Sequence, residues 1–550
     1  MRQPAARVKP RIAKMQSFPA PVGGWIKNVN LALPDARRPD GSRVNGAAVL
    51  ENWFPTATGI RMRGGSQVHT VVDGSEDITA LFTYVDGNNR SLFAATEHEI
   101  FDVTAGTTPA YLVDGLGNRL VDDLGNILVI GTTSPDMSGF NGGDWSVVQF
   151  STSGGTFLRA VNGVDTPLVY DGTAWDTSPA ITGVTPETLS FVWSYKNRLF
   201  FVEKDTQNVW YLSVDTIGGA ASKFPLGGVF TRGGALLFGA SWSLDSGAGL
   251  SEQCVFVSTE GEVAVYQGTN PGDASAWSKV GVYRIGKPRG PKAFIRAGGD
   301  LVIATDIGFV PLSVAVQRDI AALAPSAISY SIEEAWNDAV RNRSGEDWHC
   351  EVWPTKQMVL VALPTPTSSQ AQMFVANART GAWALFTGWQ GTCVALFGDR
   401  MFFGSIEGRI IECEVTGIDQ ELPYTATVVP LFDPLKSPAS LKTGLLARSV
   451  VRSAASVNVT LSMQADFQVV LPPAPDDSGA TSGALWGTAV WGESTWGAAA
   501  QKQTFSAWQS IGGEGYSVSV AAQITSGSLS PPDIEYVQTD MTFDLADIVT

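Results

Sequence analysis

Short apolar runs separated by polar turns set the rhythm of this chain. The stretch "ALFTYVDGNNRSLFAATEHEIFDVT" (80–104) reads as strand, turn and strand, with Asp, Gly and Asn where the chain must reverse. The theme returns in "FLRAVNGVDTPLVYDGTAW" (157–175), "FVWSYKNRLFFVEKDTQNVWYLSV" (191–214), "CVFVSTEGEVAVYQG" (254–268) and "LVIATDIGFVPLS" (301–313). It returns again in "MVLVALP" to "MFVANARTGAWALF" (358–386) and "RMFFGSIEGRIIECEV" (400–415), making seven units. Repeated antiparallel units that are apolar on both faces fit a β-propeller, whose blades bury those faces against their neighbours. A pair of β-sandwiches is the alternative, but it does not require a repeated strand–turn–strand theme.

Two segments break the rhythm. "LVDGLGNRLVDDLGNILV" (112–129) repeats every eight residues with Gly-Asn turns, which predicts a hairpin insertion. "SIEEAWNDAVRNR" (331–343) changes period: Ile332, Ala335, Trp336, Ala339 and Val340 share one helical face, and Ser331 stands as N-cap ahead of Glu334. A helical insertion is therefore expected near 315–345.

Beyond 416, the alternating runs "SVNVTLSMQADFQVV" (456–470) and "YSVSVAAQITS" (516–526) predict strands of a second β-domain. Between them lie the linker "LPPAPDDSGATSGA" (471–484) and "LWGTAVWGESTWG" (485–497), in which Trp486, Trp491 and Trp496 recur every five residues. Five matches neither the strand period of 2 nor the helix period of 3.6, so one flat face cannot bury all three. Each Trp-Gly pair reads as a packing plug at an assembly interface, where tryptophan is enriched, with glycine letting the chain turn. Stacking of exposed rings on sugars is the alternative. Before 46, the prolines and glycines of "FPAPVGGW" (18–25) and "LPDARRPDGSR" (33–43) predict an extended arm.

The expected class is all-β: an arm over 1–45, a propeller body over 46–415 carrying both insertions, and a sandwich-like C-terminal platform over 416–550. Composition agrees, since charged residues are 16% and glycines number 58, a balance that favours turns and packed strands over solvated helices.

The net charge of -16 argues against a protein that grips nucleic acid. Yet Arg2, Arg7, Lys9, Arg11 and Lys14 all precede the first acidic residue, Asp35. Such an arm could hold a nucleic acid or membrane surface by counterion release, or run as a strap along an acidic neighbouring subunit. Prolines at 4 and 10 spoil an amphipathic helix and favour the strap, so these five residues join the tryptophans as candidate assembly contacts. No secretory signal is recognisable and no run reaches about 18 apolar residues, so cytosolic synthesis without a membrane span is expected.

Candidate chemistry is sparse. Cys254, Cys350, Cys393 and Cys413 lie far apart without a CxxC pair, which predicts buried free thiols rather than disulfides or zinc. His69, His98 and His349 show no HxxxH spacing and read as structural, and no GxSxG elbow, P-loop or GxGxxG occurs. Asp165, Glu203, Asp306 and Glu407 stand beside blade turns; a propeller hydrolase could gather such carboxylates, but acidic residues also simply form turns. Asp114 and Asp122, with Asn118 and Asn126, lack the EF-hand spacing. No catalytic, cofactor or metal site is expected.

Several segments together resemble a known family. "FPAPVGGW" (18–25) followed by "ENWFPTATGIRMRGG" (51–65), then "GFVPLSVAVQRDIAALAPSAISYSIEEAWNDAV" (308–340), and finally the tryptophan repeat with "WQSIGGEGYSVSVA" (508–521) are similar to tail nozzle or hub proteins, the tail tubular protein B type of short-tailed bacteriophages. The resemblance implies a homohexameric ring at the distal tail, built in the host cytoplasm, with a propeller on the outside of each subunit. It further implies a platform meeting the tail adaptor below the portal, fibres or spikes on the flank, and DNA leaving through the axis without sequence-specific binding. An acidic wall suits that passage, because attraction to phosphates would retard the DNA. A propeller glycan depolymerase and a carbohydrate-binding receptor module are the alternatives.

Overall fold

In the computed structural model the described residues are 13–33, 36, 44–74, 76–107, 110–111, 120, 129–245, 250–343, 347–364, 371–478 and 502–545. The chain forms two compact units, one of Ser66–Phe374 and Thr387–Cys413, the other of Met1–Gly65, Val375–Phe386 and Glu414–Thr550. Both are built of strands, and the protein is all-β with a β-propeller body.

In the propeller unit, six sheets stand as separate blades. The first runs from Ala80–Asp86 outward to Met137–Ser138, the second from Ser146–Thr152 to Trp175–Asp176, and the third from Leu189–Tyr195 to Ser222–Pro225. The fourth runs from Leu236–Asp245 to Trp277–Arg284, and the fifth holds Phe294–Ala297, Asp300–Thr305 and Gly308–Pro311. The sixth joins Cys393–Phe397, Arg400–Gly404 and Arg409–Thr416 to Gly65–Val71, a strand more than 300 residues earlier in the chain. Between the fifth and sixth stands the antiparallel pair His349–Trp353 and Met358–Ala362. Contact of Ala80–Asp86 with both Ser146–Thr152 and Cys393–Phe397 closes the ring.

Period-two alternation explains why the blades stack. In the first blade Leu81, Leu92 and Phe101 pack with Cys393, Phe402 and Ile410 of the sixth. Their chain neighbours Phe82, Phe93 and Ile100 point the other way, onto Trp145, Leu158 and Tyr170 of the second. Each fully buried side chain of this size contributes about 1.5–3 kcal/mol. Aromatic pairs add to this across other seams, as where Phe238 stacks on Phe294 at 4.7 Å between the fourth and fifth blades. Turns are equally local: Lys196 and Asn197, both with positive φ, form the two-residue reversal between Leu189–Tyr195 and Arg198–Glu203.

One seam contains a charge that its surroundings do not balance. Arg159, fully buried in the second blade, donates from Nη1 to the Pro179 carbonyl at 3.2 Å, while its Nε and Nη2 have no hydrogen-bond partner among the described residues. Burial pulls its pKa down to about 10. Against an ordinary value near 12.5 that drop corresponds to about 3 kcal/mol of unfavourable desolvation at neutral pH. Part of this is offset by the bond to Pro179. Arg159→Met is therefore expected to stabilise the propeller unit by about 1–2 kcal/mol, read as a higher midpoint in urea; a lower midpoint would refute it.

The helical insertion is present as Glu333–Asn342, with Ile332, Trp336 and Ala339 buried as the periodicity requires. Trp336 Nε1–H donates to the Thr305 carbonyl at 2.8 Å and its ring meets Trp348 at 5.1 Å. Ser331, however, is not the cap. A 3-10 turn over Ile328–Ile332 runs straight into the helix, so the Glu333 N–H bonds the Tyr330 carbonyl and Ile332 holds the cap position without a side-chain bond. The hairpin insertion near 112–129 lies outside the described residues apart from Leu120 and the strand Val129–Ile130, which pairs antiparallel with Ala110–Tyr111.

The second unit corrects the expected boundaries. Strands before 65 belong to it because they complete its sheets: Ala47–Glu51 pairs with Tyr424–Pro430, and the hairpin Trp53–Pro55 with Ile60–Met62 lies beside Ile534–Leu545. Within the expected extended arm, Lys14–Pro19 is a strand pairing antiparallel with Gln538 to Phe543, and Val29–Ala32 forms one helical turn. One sheet is organised on the long strands Lys442–Ser453 and Ile534–Leu545, and the other runs Ala47–Glu51, Tyr424–Pro430, Val518–Ser526 and Thr460–Ala465. Contacts of Lys442–Ser453 with Thr460–Ala465 and Val518–Ser526 hold the two sheets together.

Two motifs singled out in the sequence, "FPAPVGGW" and "ENWFPTATGIRMRGG", are packing devices of this unit. In "FPAPVGGW", Gly24 has φ +79, and a Cβ there would lie 2.6 Å from the Trp383 carbonyl oxygen, which accepts from the Trp25 N–H at 2.7 Å. In "RMRGG", added Cβ atoms would meet Glu414 Cα at 2.7 Å from Gly64 and the Ile418 carbonyl oxygen at 2.0 Å from Gly65. Arg63, fully buried, pairs with Asp419 through both carboxylate oxygens.

Candidate functional site

The inner strands of the propeller unit enclose a cavity of about 690 Å³. Its wall is polar and apolar in about equal measure, with Phe82, Phe191, Trp193 and Phe294 among the apolar side chains. Gly239 allows this: a Cβ there would lie 2.3 Å from the Trp193 ring. A recess of about 60 Å³ shares Ser146, Phe191, Pro291, Lys292 and His349 with the cavity and adds Asp144 and Asp347.

Five titratable groups line the main cavity, the Cys350 thiol among them with its pKa pushed up by burial. Lys292 precedes the inner strand Phe294–Ala297; burial holds its pKa below the usual lysine value, against the pull of Asp144, Cys393 and Asp347. His349 opens the next inner strand, and its Nδ1 accepts from the Val394 N–H at 3.2 Å, so the neutral ring carries its proton on Nε2. Burial, reinforced by repulsion from Lys292, pushes the His349 pKa down to about 3. Burial raises the Glu351 pKa, opposed by the Val352 N–H on its Oε1. Arg296 is pulled down by burial and supported by Glu252.

The carboxylates noted in the sequence are not among them. Asp165 accepts from Asn141 N at 3.0 Å and from the side-chain amides of Asn141 and Asn162 at 2.9 and 2.7 Å. Burial would raise its pKa, but those bonds outweigh it and the net shift is downward. Glu203 accepts from Trp210 Nε1 at 2.9 Å, Asp306 from the Lys287 N–H at 2.8 Å, and Glu407 pairs with Arg409 at 2.8 Å. Each is tied to groups around its own turn, and none lines the cavity.

All four cysteines are buried free thiols, as their spacing predicted. Among the described residues, no three His, Cys, Asp or Glu side chains converge as metal ligands. His69 bonds the Val103 carbonyl at 3.0 Å, and exposed His98 bonds that of Phe140 at 2.8 Å. Of the candidate assembly residues, Lys14 is exposed on its strand opposite Phe543, while Arg2, Arg7, Lys9, Arg11, Trp486, Trp491 and Trp496 lie outside the described residues. Sequence reasoning missed Lys292 and Arg296 and took His349 as structural; each is a single residue on or just before an inner strand, with no local spacing to mark it.

No family model matches the chain, and no curated protein does. Solved structures do. The computationally designed Ika8 protein is 13% identical, over 64% of this chain and 100% of its own, with a TM-score of 0.34. YCF48 bound to D1 peptide is 12% identical over 64% and 95%, with a TM-score of 0.34. The Cps50 (Swd1) β-propeller domain of Myceliophteria thermophila is 10% identical over 64% and 100%, with a TM-score of 0.36. These values say nothing of function, and the propeller assignment rests on the chain's own strand pairing and ring closure.

Proposed function

We propose that this chain is a structural virion protein, a tail nozzle subunit of a short-tailed bacteriophage that forms a homohexameric ring and holds packaged DNA until ejection. The observation that supports the reading is that three of the resembling motifs converge, while the fourth, 308–340, lies in the propeller unit. "FPAPVGGW", "ENWFPTATGIRMRGG" and "WQSIGGEGYSVSVA" are separated by up to several hundred residues, yet all three build one β-unit. In the first two, Gly24, Gly64 and Gly65 sit where a side chain would strike backbone, so these motifs encode close packing of that unit. Large exposed apolar side chains are also frequent there, with Val470, Leu529, Leu422 and Phe467 each more than half exposed, as an assembling surface requires. The net charge of -16 suits a wall past which DNA slides.

A depolymerase is less well supported. Among the described residues Glu351 is the one carboxylate lining the main cavity, so they do not assemble there the carboxylate pair that glycoside hydrolysis uses.

Negative-stain images of the purified chain are expected to show six-fold rings. Trp491→Ala is expected to shift the population toward monomers by about tenfold or more in the assembly constant, with unchanged circular dichroism. A strictly monomeric protein at virion-like local concentration would overturn the reading.

A further inference from the structure

Two donors reach the wall of the propeller cavity without a hydrogen-bond partner among the described residues. Among the described residues the Lys292 ammonium makes no ion pair or side-chain hydrogen bond, and Asp144 and Asp347 act on it only at longer range. His349 spends Nδ1 on the Val394 N–H, which leaves Nε2–H as a donor toward the cavity and the recess that share this residue. An ammonium has no acceptor, and neither does the remaining N–H of such an imidazole. The complement of two convergent donors is a group that only accepts, and an oxyanion gives the stronger, charge-assisted bond.

We propose that the propeller cavity binds a small anionic ligand, a phosphate or carboxylate head on a compact apolar body, with the head held by Lys292 and His349. Phe82, Phe191, Trp193 and Phe294 supply the wall for the body, and about 690 Å³ is room for a ligand of that kind. Asp144 and Asp347 are exposed near the recess, so water and salt screen them from a singly or doubly charged head. They and the acidic chain as a whole exclude a long polyanion such as nucleic acid. The proposal is independent of the nozzle reading.

Calorimetric titration of the full chain with phenyl phosphate, benzoate and inorganic phosphate tests it, with benzyl alcohol as the uncharged control at matched ionic strength. Saturable binding of phenyl phosphate or benzoate is expected, the stronger of the two identifying the head group, with little heat from benzyl alcohol. Lys292→Met removes a desolvated charge and is expected to fold, while weakening the bound probe about tenfold or more. Lys292→Gln serves as the second variant, and circular dichroism reports folding of both. No saturable binding of any anion up to about 10 mM, equal affinity in a folded Lys292 variant, or equal binding of benzyl alcohol would each overturn the proposal.

Discussion

Asp419→Ala is expected to destabilise the non-propeller unit by about 3–5 kcal/mol, the cost of leaving a guanidinium buried without its counter-charge. Arg63 has no exposed surface. Its Nε donates to Asn52 Oδ1 at 2.8 Å, and its Nη1 donates to the Gly64 carbonyl at 2.9 Å and to Asp419 Oδ1 at 3.0 Å. Its Nη2 meets the other Asp419 oxygen, and the guanidinium lies 4.0 Å from the centre of the Tyr424 ring. Burial alone would lower the Arg63 pKa, but the charge of Asp419 and its hydrogen bonds more than reverse that. The pair therefore stays charged, and removing one member exposes the full desolvation penalty of the other. Arg63→Met combined with Asp419→Leu is expected to recover most of the loss, since apolar replacement of a buried pair is often neutral. Equilibrium unfolding in urea, followed by Trp fluorescence, separates the cases. A loss under about 1 kcal/mol in Asp419→Ala would show that the pair is not the anchor its geometry indicates.

That anchor also shows what the sequence could and could not disclose. Alternation placed six of the seven strand–turn–strand units in blades, because period two and turn chemistry are local and Leu81 beside Phe82 already implies burial on two faces; the seventh, 358–386, is divided between the two units. The helix was legible from Trp336 and its neighbours, whereas its cap was not, since a 3-10 turn supplied backbone bonds that Ser331 would otherwise have made. Long-range pairing left no local trace. Nothing near Gly65–Val71 says that it joins a blade made after residue 392, and nothing in Lys14–Pro19 names Gln538 to Phe543 as its partner. Arg63 and Asp419 likewise lie 356 residues apart and carry no spacing that couples them. Lys292 and His349 form part of one wall only because neighbouring inner strands bring them together, so the cavity belongs to the fold and not to any motif.

His349 is expected to make the propeller unit lose about 2–3 kcal/mol of stability between pH 7 and pH 4, beyond what the carboxylates cause. Its folded pKa is about 3, against about 6.5 when unfolded. A base with a depressed folded pKa binds its proton first in the unfolded chain. Its contribution is therefore intact above pH 6.5 and is lost progressively as pH falls toward 3. The full shift would amount to more than 3 kcal/mol by pH 4, and the lower figure allows for solvent reaching the ring through the cavity it lines. Asp165 and Glu262, whose pKa values are lowered on balance by hydrogen bonds, add acid sensitivity of their own, so the wild-type curve cannot isolate the histidine. His349→Asn can: the amide oxygen keeps an acceptor for the Val394 N–H, while the titrating ring is gone. The difference between wild-type and variant unfolding free energies should then grow in the variant's favour from pH 6.5 downward and stay flat above it. Lys292→Met should shrink the same difference, because removing the neighbouring cation lets the His349 pKa rise toward its unfolded value. Parallel pH curves for wild type and His349→Asn would mean that the folded pKa of the imidazole is not depressed below its unfolded value.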